Sequence, residues 1–254
     1  MHQPRTTRTL RRLASTIGLA VLALVASPAR GDAASTLTLW AETSIKITGN
    51  YHVFCGWAHS NGSGDVNGNG NSVSGPFEYV SSFKTSSQNG VTPVHVAAST
   101  MPMPPHTLAY YRSLAQAQGT YHPGSFTISQ TGGTLSGVIF AEGTLQISGS
   151  SITGMATFVS ATGSVNLNGS NNTIVAAVDG VLAFSGTSDI TVSANACSYS
   201  DAIYSPAGTF SRASNDDSIV TGPVVANTIS WSGANSHAGG QCCATASSCA
   251  DGNP

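Results

Sequence analysis

Apolar and polar residues alternate in short runs along most of this chain, and the runs end at corners of Gly, Ser and Asn. Gly143-Thr-Leu-Gln-Ile-Ser-Gly149 is echoed by Gly163-Ser-Val-Asn-Leu-Asn-Gly169. Looser copies begin at Ser188, Gly208 and Asn227. From one start to the next the steps are 20, 25, 20 and 19. Alternation sends every second side chain to one face of a strand. A recurrence of about 20 residues is the period of a solenoid, whose units bury their apolar side only by stacking on one another. The pattern predicts an all-β fold: a right-handed parallel β-helix with one short packed helix. Leu145, Ile147, Val165, Leu167, Ile190 and Val192 are the expected inward positions. Asn61-Gly62, Asn67-Gly68 and Asn69-Gly70 are turn signals that keep an antiparallel sandwich as the competing fold.

Elsewhere the pattern is less regular. Thr36–Trp40 and Ser44–Thr48 read as a first strand pair, and residues 57–83 as irregular rungs. Residues 89–124 interrupt the repeat with Pro93, Pro102, Pro104 and Pro105, and read as a crossing segment. Inside it, Leu108–Gln118 are mostly helix formers, with Thr107 placed as N-cap and Gly119 just past the end. Leu108, Tyr111, Leu114 and Ala115 would share one face, which is expected to pack on the solenoid. Asn171 and Asn172 fall at a corner, where stacked amides can form a ladder.

The N-terminus changes the compartment. Arg5, Arg8, Arg11 and Arg12 precede an apolar run from Leu13 to Ala26, and small residues follow. Residues 1–33 read as a secretory signal, too short in its apolar part for a membrane span. The mature chain is then expected to be secreted or held at the cell surface. The solenoid is assigned to 34–237, and a flexible Cys-containing tail to 238–254. Without the signal, Lys46, Lys84, Arg112 and Arg212 stand against ten acidic residues, a formal charge of −6. That balance argues against nucleic acid and anionic membranes as partners, because both need basic patches. Charged residues make up only 8% of the chain, so its polar surface is built from hydroxyls and amides. Cys55, Cys197, Cys242, Cys243 and Cys249 are disulfide candidates in an exported protein, and an odd count leaves one thiol over. Three clustered thiols fall short of a four-ligand zinc site, and no cofactor is expected.

Candidate chemistry is sparse. A β-helix polysaccharide lyase or hydrolase needs stacked carboxylates and a base. Asp179 and Asp201, about one rung apart, with Arg212 are the candidates for that alternative. No Gly-x-Ser-x-Gly occurs, and the early histidines, His52 and His59 among them, form no motif. Ice binding, a second alternative, would show as ladders of Thr-x-Thr on a flat face, whereas Thr36-Leu-Thr38 stands alone. Tyr199, Tyr204 and Trp231 are candidate carbohydrate contacts. The balance favours an exported, non-catalytic structural or adhesive module that meets a cell-surface polymer or protein.

The order of short motifs carries a resemblance. Ile47-Thr-Gly-Asn50, Tyr110-Tyr-Arg112 and Tyr121-His122 precede Gly137-Val-Ile-Phe-Ala-Glu-Gly143, Gly169-Ser-Asn-Asn-Thr-Ile174 and Ala202-Ile-Tyr-Ser-Pro206. In that order, over about residues 44–236, the chain resembles exported bacterial β-solenoid proteins associated with pilus-assembly and cell-surface components. The resemblance implies an extracellular structural role and carries over no catalytic residue. Ala207 stands where those proteins have asparagine, and Arg212–Asn215 depart from the rung pattern.

Overall fold

The computed structural model describes residues 36–215 and 218–239. Its strands form a parallel β-solenoid, and every pairing between named strands is parallel, as in Leu145↔Val165 and Phe158↔Ala183. Such crossovers are right-handed. The stacking of Leu145–Ile147 on Val165–Leu167 excludes the antiparallel sandwich. Each turn contributes to three lateral faces. In one rung, 153–155 lie on face C, 157–160 on face A and 165–167 on face B.

The periodicity read from the sequence is the physical register. On face B, Leu145 stacks on Val165, Val165 on Ile190, Ile190 on Phe210 and Phe210 on Ile229. All six inward positions expected from the alternation are fully buried. Fully burying an aliphatic side chain of this size stabilises by roughly 1.5–3 kcal/mol, so the repeated column is the main adhesive of the stack.

The order of the rungs departs from chain order. Strand Leu37–Ile47 lies between Val224–Gly233 on one side and Trp57–Ser60 with Ser63–Val66 on the other. The first rung of the chain therefore sits on its last, with Ile45 on Ile229. Residues 57–83, expected to be irregular, continue the same stack through Ser72–Tyr79, Ser82–Thr85 and Gly90–His95. The crossing segment is shorter than expected, because Gly90–His95 and Tyr121–His122 both belong to rungs. The solenoid also extends past 237, since His237–Gly239 pairs with Val53–Cys55.

The helix is Leu108–Gln118. Gly119 ends it at φ 75°, a left-handed conformation that suits glycine. Thr107 precedes the helix but makes no side-chain capping bond. Tyr111 and Ala115 are buried against Val138, Phe140, Val159 and Phe184, with Leu108 and Leu114 beside them. The crossing segment and helix thus cover part of face A. Arg112 ties the helix down with two bonds to Glu142, 2.6 and 2.9 Å. The guanidinium holds the Glu142 carboxyl below its ordinary value.

The corner from face B to face C has its own ladder. Ser151, Asn171, Ala196, Asn235 and Tyr51 all adopt positive φ, and each is followed by a buried side chain turned inward. Asn172 is the expected ladder residue. Its Oδ1 accepts the Ile152 N–H at 2.9 Å and its Nδ2 donates to Gly149 O at 3.1 Å. Asn71 repeats the arrangement with the His52 N–H and Gly49 O. Where the amide is missing, Cys197, Ser218, Ser236 or His52 fills the column.

Candidate functional site

Face A carries one polar constellation assembled by the rung period. Trp40, His59 and Glu78 lie in adjacent register on three successive rungs. Each follows the last by one rung period in sequence. The crossing segment lays Ser99 over them. Trp40 Nε1–H donates to Ser99 Oγ at 3.1 Å, and Ser99 Oγ is 2.9 Å from His59 Nε2. His59 Nδ1 is 2.8 Å from Glu78 Oε2. Because a carboxylate only accepts, Nδ1 carries the proton in that bond. The His59 ring is 2% exposed, stacked on Trp40 at 5.9 Å and met edge-on by Trp57 at 6.2 Å.

Asn61 fixes the crossing segment. Its Oδ1 accepts the Ser99 N–H at 2.8 Å, and its Nδ2 donates to Ser99 O at 2.7 Å and Glu42 Oε2 at 3.0 Å. These three bonds settle the amide orientation. They also leave Oδ1 2.9 Å from His59 Nε2. Serine, histidine and carboxylate thus meet in a nucleophile–base–orienter order, although no sequence motif announces it. The missed signal is the repeat itself, since residues one period apart stand side by side.

The residues nominated from sequence fall elsewhere. Tyr199 and Trp231 are fully buried, which corrects their reading as carbohydrate contacts. Tyr199 packs in the interior, and Trp231 sits between Phe54 and Phe210 at 5.1 and 5.5 Å. Tyr204 is half-buried beside the helix cluster. The lyase trio does not converge either. Arg212 points inward and is fully buried, bonding Ser214 O, Ser232 O and Ser218 Oγ. Asp179 pairs with His106 at 2.9 Å, and Asp201 accepts the Ala176 N–H at 3.1 Å. Both aspartates have positive φ and serve corners.

Cys55 is disulfide-bonded, and Cys197 is a free, buried member of the corner ladder. Burial pushes the Cys197 thiol up from its ordinary value. Cys242, Cys243 and Cys249 lie outside the described residues, as do the expected signal segment and most of the expected tail. Among the described residues, no three His, Cys, Asp or Glu side chains cluster as a metal site. No helix there is long and apolar enough to cross a membrane.

The outward columns of faces B and C are of another kind. On face B, Thr127, Gln146, Asn166, Thr191, Ser211 and Ser230 stand in continuous register without a charge. Lys46, Asp65 and Lys84 then complete the column with alternating sign. On face C, exposed Thr134, Thr153 and Thr173 stack in register, followed by Ser198. Met155 and Val175, 58% and 39% exposed, stand two residues along. These features define a parallel β-solenoid whose outer columns on faces B and C are built mostly of hydroxyl and amide side chains. Compared with family models, curated proteins and solved structures, the chain finds no match in any of the three.

Proposed function

We propose that this protein is an exported structural or adhesive β-solenoid whose face B lies against a neutral cell-surface or extracellular polymer. One observation carries the reading: six successive rungs present hydroxyl and amide groups in a continuous uncharged column. Successive rungs repeat about every 4.8 Å, so a polymer laid along the stack would meet the same kind of donor and acceptor at each step. Neutral hydroxyls and amides suit neutral sugars better than polyanions or polycations. Export rests on the N-terminal signal, and association with pilus-assembly or surface components rests on the motif resemblance.

The test is co-sedimentation of the secreted protein with insoluble neutral polysaccharides, chitin and cellulose, and with isolated cell wall. At least one should retain it. Gln146→Lys with Asn166→Glu should reduce retention about ten-fold at an unchanged melting temperature, because both side chains point outward. Retention by none of these polymers, or equal retention of the variant, contradicts the reading. A second reading, ice binding, is favoured by the in-register column Thr134, Thr153 and Thr173 on face C. Inhibition of ice recrystallisation that Thr153→Lys abolishes would select it instead.

A further inference from the structure

We propose that Ser99, His59 and Glu78 form a nucleophilic acyl-transfer site that hydrolyses carboxylic esters. The site is on face A, apart from the face B column, and polymer retention is neither needed for it nor tested by it.

One assignment of the hydrogen bonds gives each group a role in acyl transfer. Ser99 Oγ accepts from Trp40 Nε1–H, so its own hydrogen is free to donate. His59 Nε2, 2.9 Å away, is the acceptor within reach. Glu78 Oε2 takes the Nδ1 proton and so fixes the tautomer with the Nε2 lone pair toward the serine. The ring cannot turn, held by Trp40 and Trp57. Ser99 is an exposed residue of the crossing segment.

Asn61 makes the arrangement more than a clamp. With Nε2 unprotonated, Asn61 Oδ1 faces its lone pair at 2.9 Å, an unfavourable contact. The amide cannot flip to relieve it, because Ser99 N–H, Ser99 O and Glu42 hold it. Once Nε2 takes a proton, the same contact becomes a hydrogen bond. That bond is made only along the reaction, and an interaction gained only there is what accelerates it.

In the reaction, Ser99 Oγ bonds to the ester carbonyl carbon while its proton passes to His59 Nε2. The carbon–oxygen bond to the alcohol then breaks, and the departing alkoxide takes that proton. Water, deprotonated by His59, cleaves the acyl-serine, releasing the carboxylic acid and restoring Ser99. Trp40 Nε1–H donates to Ser99 Oγ itself and the Ser99 N–H is spent on Asn61, so neither is aimed at the substrate's carbonyl oxygen. An ester with a good leaving group asks less of an oxyanion donor than an amide does. Ser99 and His59 are the catalytic residues, and Glu78 and Asn61 are positioning residues.

The test treats the intact protein with a fluorophosphonate probe, locates any adduct by peptide mass spectrometry, and follows hydrolysis of p-nitrophenyl acetate. The adduct is expected on Ser99. His59→Gln should slow labelling by about 100-fold, the scale of general-base catalysis. Glu78→Gln should slow it by at least ten-fold and Glu78→Asp should restore part of the rate, a rescue that a purely structural role would not show. Ser99→Ala should abolish both labelling and turnover. No adduct on Ser99 of the unmodified parent, together with ester turnover no faster than in Ser99→Ala, overturns the proposal whatever the variants' stability.

Discussion

Replacing Trp231 by Ala should lower the stability of the protein by about 3–5 kcal/mol, the usual cost of deleting a large buried aromatic. Trp231 is fully buried. It packs on Phe54 and Phe210 and lies under the Arg212 guanidinium at 5.6 Å. Its Nε1–H donates to Ser236 Oγ at 2.6 Å. Phe210 and Trp231 come from the C-terminal rungs and Phe54 from an N-terminal one, so the cavity would open where the two parts of the chain stack. The melting temperature should fall by roughly 6–20 °C for a domain of this size. The same substitution separates the interior role from the sugar-contact role that the sequence suggested. A variant that melts like the parent but loses polysaccharide retention would return Trp231 to the surface.

Acid should weaken the same junction through His52. The ring is fully buried, with Nε2 donating to Thr48 O at 3.2 Å and Nδ1 accepting from Ser236 Oγ at 2.7 Å. Thr48 and His52 belong to the first rung and Ser236 to the last. Burial lowers the His52 pKa from 6.5 to about 4, and nearby Arg212 and His237 push in the same direction. The unfolded chain therefore binds a proton between pH 6.5 and 4 that the folded chain refuses, and folding stability falls as pH drops through that window. The contribution is complete above pH 6.5, and the loss approaches about 3 kcal/mol near pH 4, at 1.36 kcal/mol per pKa unit. Denaturant titrations at several pH values measure it. His52→Asn should flatten the dependence, because asparagine already serves the same column at Asn71 and Asn172. An equal acid loss in that variant would assign the effect to other groups.

The interior was legible because two periods coincide in it. Alternation fixed which residues face inward, and the steps of 20, 25, 20 and 19 fixed which of them touch. The longest step, from Gly163 to Ser188, carries its extra length as the Asp179-Gly180 turn, closed by the bridge Val178↔Val181. The helix was legible from composition and its glycine stop. Rung order was not. A rung signature states which face of a strand is apolar, and any other rung satisfies that requirement equally well. Nothing local tells Ile45 that Ile229 lies beneath it.

The outer chemistry was hidden for two further reasons. Aromatics read as surface contacts by residue type, yet Ser198-Tyr-Ser200 and Ser230-Trp-Ser232 put each ring in the inward phase of its strand. Arg212 shares that phase with Phe210, and its charge masked it. Conversely, Trp40, His59 and Glu78 are ordinary as single residues and become a site only when the period brings them together. Ser99 then arrives from an extended segment whose path no periodicity describes.

The out-of-order stack underlies the junction, and a single cross-link tests it. Lys46 and Ser230 are partners in register, far apart in sequence and both pointing outward. Neighbouring strands lie about 4.8 Å apart, within the roughly 4.4–6.8 Å between Cα atoms that a disulfide spans. The double variant Lys46→Cys, Ser230→Cys, oxidised and mapped by peptide mass spectrometry, should join the two positions within one chain. A stack running in chain order would instead place Lys84 beside Thr127. No 46–230 link in the folded protein, with Lys84→Cys and Thr127→Cys joining readily, would contradict the account.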